Sequence, residues 1–98
     1  MNRQELAQLS EAYIKQLLQK HLPSGSLVYL FGSRARHDER WNSDYDLWID
    51  AEITQNSLTE IADELEDSFV PFKVDLVTTS QVTGTFGEQL RREAKRWM

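Results

Sequence analysis

Residues 26–50 read SLVYLFGSRARHDERWNSDYDLWID, and the fold turns on how this stretch is read. Ser26 to Phe31 is short, apolar on both faces and bounded by turn residues, which is the pattern of a central strand. Gly32 and Ser33 follow at once, then a polar stretch, then Asp44 to Asp50, where apolar and polar residues alternate. Successive side chains of an extended chain point to opposite faces. Tyr45, Leu47 and Ile49 therefore share one face, and Asp44, Asp46, Trp48 and Asp50 share the other. Asp44 and Asp46 lie side by side, roughly 6.6 Å apart along such a strand.

On the N-terminal side, Leu6, Leu9, Tyr13, Leu17 and Leu18 recur at helical spacing, and Asn2 with Glu5 has the form of a capping box. This predicts a helix to about His21, stopped by Pro23 and the Ser24-Gly25-Ser26 turn. On the C-terminal side, Leu58, Ile61, Ala62, Leu65 and Phe69 mark a second helix that ends before Pro71. Phe72 to Val77 reads as a third strand, with Lys73, Asp75 and Val77 on its polar face. Phe86, Leu90, Ala94 and Trp97 predict a final helix after Gly84. The sum is an α/β fold: one domain over residues 1–98, a mixed sheet, and helices packed mainly on one face. The other face is comparatively open and carries Asp44, Asp46 and Asp75.

The chain is ordinary for a folded protein, at 98 residues and 40% hydrophobic. It has no cysteine, which excludes disulfides and thiolate metal sites. Nothing at the N-terminus reads as a signal peptide, and Leu27 to Phe31 is far too short an apolar run to span a bilayer, so a soluble, cytoplasmic protein is expected with no membrane partner. The net charge is −5, and eleven of the sixteen acids fall between Asp38 and Asp67. Affinity for nucleic acid comes largely from neutralising phosphates, so direct nucleic-acid binding is not expected, whereas a divalent cation or a basic protein fits. Arg91, Arg92, Lys95 and Arg96 suit the negative end of a helix.

Carboxylates and like charges are both poor choices for a strand. Asp44 and Asp46 on one strand, with Asp75 on the polar face of another, repel one another unless a cation lies between them. Hard oxygen ligands without Cys or His suit Mg²⁺, which is held by a few carboxylates plus substrate phosphates, and two such ions can serve one reaction. Gly32 lets backbone come close to a ligand, and Ser33 adds a hydroxyl and can open a short helix with free N–H groups. Arg34 and Arg36 lie just beyond and can balance phosphate charge. Arg36 and Arg40 also fit plain surface positions, His37 a loop, and His21 a helix end with no partner suggesting a ligand role. Trp48 has two readings: parity sets it on the aspartate face, where it can stack a base or anchor a partner, or the C-terminal segment folds over it.

Gly32-Ser33, ten residues, Asp44-x-Asp46, then Asp75 within Lys73-Val74-Asp75-Leu76-Val77 resembles the signature of the DNA polymerase beta-like nucleotidyltransferases. Phe31-Gly32-Ser33-Arg34-Ala35-Arg36 and Ser43-Asp44-Tyr45-Asp46-Leu47 look like the minimal nucleotidyltransferase (MNT) branch. The resemblance implies that Gly32 and Ser33, with Arg34, position the triphosphate of ATP or another NTP, and that Asp44, Asp46 and Asp75 are catalytic and bind Mg²⁺. Many relatives have Gly where His37 stands, and smaller aliphatic residues where Trp48 stands. The chain is too short for an acceptor-binding region, so the resemblance also implies a separate all-helical HEPN-type partner. In such toxin–antitoxin pairs the MNT member transfers AMP from ATP to a tyrosine hydroxyl on the toxin. Transfer to a small-molecule acceptor and a non-catalytic nucleotide-binding module that inhibits its partner by contact are the alternatives.

Overall fold

The computed structural model describes residues 1–98, and they form two units: residues 1–24 with 52–71, and residues 25–51 with 72–98. The first unit is a helix pair. α1 (Arg3–His21) starts at Asn2, whose side chain accepts from the Glu5 N–H at 2.8 Å. α3 (Gln55–Glu66) starts at Thr54, whose hydroxyl accepts from the Ser57 N–H at 3.1 Å. Between them, α2 (Ser33–Arg36) belongs to the second unit. Ile14, Leu17 and Leu18 of α1 and Ile61 and Leu65 of α3 are buried. Phe69 lies beyond the end of α3 and is 55% exposed, so it is not the helical core residue expected; it meets Tyr13 edge-on at 5.4 Å. His21 stands in the last turn of α1, the helix end expected for it. Its Nε2 lies 2.6 Å from Glu64, which also accepts from Lys20 at 3.0 Å.

The second unit is a four-stranded sheet of β1 (Leu27–Phe31), β2 (Tyr45–Asp50), β3 (Val74–Thr78) and β4 (Lys95–Arg96), in the order β3-β2-β1-β4. β2 runs parallel to β3 and antiparallel to β1, so the sheet is mixed. The alternation read in β2 holds: Tyr45, Leu47 and Ile49 are buried, and Asp46, Trp48 and Asp50 are part-exposed. The C-terminus departs from expectation. α4 (Gly84–Glu93) stops at Glu93, and the chain turns extended at Ala94 and pairs with β1. Val28 accepts from the N–H groups of Trp97 and Met98 and donates to the Met98 carbonyl at 2.9 Å. An open edge on β1 would leave these backbone groups unpaired, and closing it outweighs two more residues of helix. Lys95 and Arg96 are therefore strand residues, and only Arg91 and Arg92 stand in the last turn of α4.

The aspartate face is also less open than the sequence predicts. Phe31, Val82 and Leu90 form a buried cluster on it, with Trp48, Val77 and Ala94 packed against them. α4 can approach this closely because residue 87 is glycine: a Cβ there would stand 2.7 Å from the Val82 carbonyl carbon. Trp48 is partly covered by the C-terminal segment, through Val82 and Leu90 of that cluster. The indole stacks on Tyr29 at 4.7 Å, and its Nε1 donates to the Thr79 hydroxyl at 3.0 Å.

Candidate active site

β1 ends at Phe31, directly opposite Asp46, and Asp46 is in register with Asp75 on β3. The sheet thus sets Gly32, Asp46 and Asp75 together at one end of three adjacent strands. Gly32 has φ 75° and ψ −158°, backbone that is essentially reserved for glycine. A Cβ at this position would collide with the Asp46 Oδ2. Glycine is therefore required twice, for its torsions and for the space the Asp46 carboxyl fills. Ser33 opens the single turn of α2, and the Gly32 carbonyl accepts from the Ala35 and Arg36 N–H groups at 3.1 Å each. His37 closes the turn in the left-handed region at φ 61°, backbone that glycine adopts most readily.

Burial pushes the Asp46 carboxyl above its ordinary range, and the charges of Asp75 and Asp44 push the same way. A hydrogen bond to the Asp75 carboxyl and the nearby charge of Glu93 add to it. Asp75 also has Lys73 Nζ at 3.7 Å. Asp44 lies just before β2 and is exposed. The three aspartates do not close into a metal-ion cage in this conformation; no group of three acids or histidines does. Two of them, Asp46 and Asp75, already converge. A pair of carboxylates crowded together, all-oxygen and partly desolvated, is a donor set that suits a hard divalent cation.

Arg34 turns two of its three nitrogens to the loop before Asp44. Its Nη2 and Nε donate to the Ser43 carbonyl at 2.9 and 3.1 Å, its Nη2 reaches the Trp41 carbonyl at 3.3 Å, and the guanidinium lies 3.9 Å over the Tyr45 ring. It ties the loop before Asp44 back to α2 and to the base of β2. Arg36 is the surface residue that the sequence favours over a phosphate ligand, and it is paired with an anion. Its Nη1 donates to the Glu93 Oε2 at 2.9 Å, and the other Glu93 oxygen accepts from the Gly32 N–H at 3.0 Å. Glu93 carried no sequence signal, because it sits at the end of an amphipathic helix where an acid is unremarkable. A cleft of about 170 Å³ opens beside it, lined by Gly32, Asp46, Phe31, Phe86, Leu90 and Glu93 among others.

The family described as Polymerase beta, Nucleotidyltransferase matches residues 12–96. Protein adenylyltransferase MntA of Shewanella oneidensis is 31% identical over 93 residues, which is 93% of this chain and 66% of that protein. The chain therefore spans just under two-thirds of that relative's length. A structure described as a minimal nucleotidyltransferase superposes with a TM-score of 0.67 at 31% identity, covering 97% of this chain and 95% of that one. A chain from a complex of tri-AMPylated Shewanella oneidensis HEPN toxin with MNT antitoxin superposes with a TM-score of 0.65 at 28% identity, covering 92% and 71%. The match over residues 12–96 takes in both the Gly32-Ser33 turn and the three aspartates, and the chain belongs to the polymerase beta nucleotidyltransferase family.

Proposed function

We propose that this protein transfers AMP from ATP to a hydroxyl on an all-helical HEPN-type partner, as the antitoxin of a toxin–antitoxin pair. The observation that carries the reading is the convergence of Gly32, Asp46 and Asp75 at one end of the sheet, in a chain that shares its family with an adenylyltransferase. Gly32 and Ser33 supply backbone and hydroxyl groups beside the position an anionic phosphate chain would take. Asp44, Asp46 and Asp75 would hold Mg²⁺. When bound, a divalent cation acidifies the attacking hydroxyl and neutralises the leaving pyrophosphate. Asp46, held above the ordinary carboxylate range by burial and by its neighbours, meets such a cation with charge that is otherwise uncompensated. Arg34 contributes by shaping the loop that carries Asp44. No helix is long and apolar enough to cross a membrane, which fits a partner met in solution.

The test mixes the protein with labelled ATP, Mg²⁺ and the candidate HEPN partner and locates the label. Label on a partner hydroxyl, absent with EDTA and with Asp44→Asn/Asp46→Asn, is the expected result. A double variant that stays folded, transfers nothing and still neutralises the partner as well as wild type would make contact alone sufficient and end the transferase reading.

A further inference from the structure

The chain carries an anion of its own at the phosphate-binding element. Glu93 comes from the last turn of α4, 61 residues from Gly32 along the chain, and its two oxygens take the two groups best suited to a phosphate oxygen. One is the Gly32 N–H at 3.0 Å and the other the Arg36 guanidinium at 2.9 Å. The Glu93 side chain is only 16% exposed, so these are not the contacts of a freely rotating surface acid. Its charge also bears on Asp46, where added negative charge is unwelcome. A carboxylate and a phosphate present the same anionic oxygens to an N–H and a guanidinium, and only one of them can occupy a given donor.

We propose that Glu93 holds the seat of the nucleotide's phosphate chain, that Arg36 is the cation shared between them, and that nucleotide enters by displacing the Glu93 carboxylate. This rests on the nucleotide-transfer reading above. In the exchange, phosphate oxygens take over the hydrogen bonds from Gly32 N–H and Arg36, and the Glu93 carboxylate is released to water. No bond is made or broken. Displacing Glu93 loosens the end of α4, which lines the same cleft. Entry of nucleotide and movement of the C-terminal segment are thereby coupled. Arg34, whose Nε and Nη2 donate to loop carbonyls, is not part of this exchange.

The experiment measures dissociation constants for ATP with Mg²⁺, for inorganic tripolyphosphate with Mg²⁺, and for adenosine, by calorimetry. The proteins compared are wild type, Glu93→Gln, Arg36→Gln and the double variant. Removing the competing charge should tighten ATP and tripolyphosphate alike, by about five- to tenfold, and leave adenosine unchanged. Arg36→Gln should weaken both phosphate ligands by about tenfold, and the gain from Glu93→Gln should shrink in that background. Glu93→Ala serves the same comparison if the amide variant does not fold. Unchanged phosphate affinity in a Glu93 variant, with wild type binding ATP, overturns this inference and leaves the transferase reading standing. Equal tightening of adenosine overturns it too, because Glu93 would then act by closing the cleft and not by competing for the anion. A gain of full size without Arg36 overturns the shared contact. Absence of ATP and tripolyphosphate binding in wild type and in the Glu93 variants overturns both readings together.

Discussion

Gly32→Ala is the substitution on which the site's geometry makes its sharpest claim. Two separate costs arise there. At φ 75° and ψ −158° the backbone occupies a region that side chains other than glycine's avoid, at about 1–3 kcal/mol. The new methyl also meets the Asp46 Oδ2 directly, with the Asp46 Cγ at 3.1 Å and its Cβ at 3.4 Å. Overpacking of this kind costs about 1–3 kcal/mol. The total expected loss is about 2–6 kcal/mol, large against the roughly 5–15 kcal/mol that small domains possess. The two parts separate in a double-mutant cycle. Asp46→Ala removes the carboxyl group and leaves only the 3.4 Å contact, which is ordinary, so in that background only the torsional cost of about 1–3 kcal/mol should remain. Urea unfolding of the four proteins gives the coupling, expected to be about 1 kcal/mol or more. A loss below about 0.5 kcal/mol, or the same loss in both backgrounds, would refute the reasoning that Gly32 is required by the position of the Asp46 carboxyl.

Asp46→Asn should stabilise the metal-free protein at neutral pH, with the gain fading in acid. The sign follows from the upward shift from 3.8: below the ordinary carboxylate range Asp46 is neutral in both the folded and unfolded states, and as pH rises through the raised folded value the native state loses its favoured protonated form. Urea midpoints of both proteins across that range check it, and a gain that grows in acid would contradict it. Ser10 is fully buried in α1 with a hydroxyl that has no hydrogen-bond partner. Ser10→Ala removes that unsatisfied group and improves helix propensity, so it should raise stability by about 1 kcal/mol in the same assay, and a loss would mean the hydroxyl has a partner.

Much of the site is written locally. Gly32-Ser33 follows a strand too apolar to be anything but central, and ten residues on, parity alone sends Asp44 and Asp46 to the face opposite Tyr45, Leu47 and Ile49. Asp75 falls on the matching face of β3, and the parallel register then brings it beside Asp46. These features depend on spacing along one strand or between neighbours, which the order of residues expresses directly. The glycine at residue 32 is legible for the same reason, although only the packed sheet reveals that the Asp46 carboxyl fills the space a side chain would need.

The amino-acid sequence by itself determined the α/β class, the Asn2-capped first helix and the helix after it, the central strands and the family signature. Tertiary structure decided what happens where distant segments compete for the same groups. Periodicity through Trp97 argued for a longer last helix, yet the free edge of β1 captured residues 95–98, because unpaired backbone N–H and C=O groups cost more than a frayed helix end. Arg34 and Arg36 stand two residues apart, but side-chain reach gave Arg34 to the carbonyls of the Asp44 loop and Arg36 to Glu93, 57 residues away. His21 and Glu64 found each other across 43 residues in the same way. Such pairings depend on where the packed elements leave a charge within hydrogen-bonding distance, and no spacing along the chain encodes that distance.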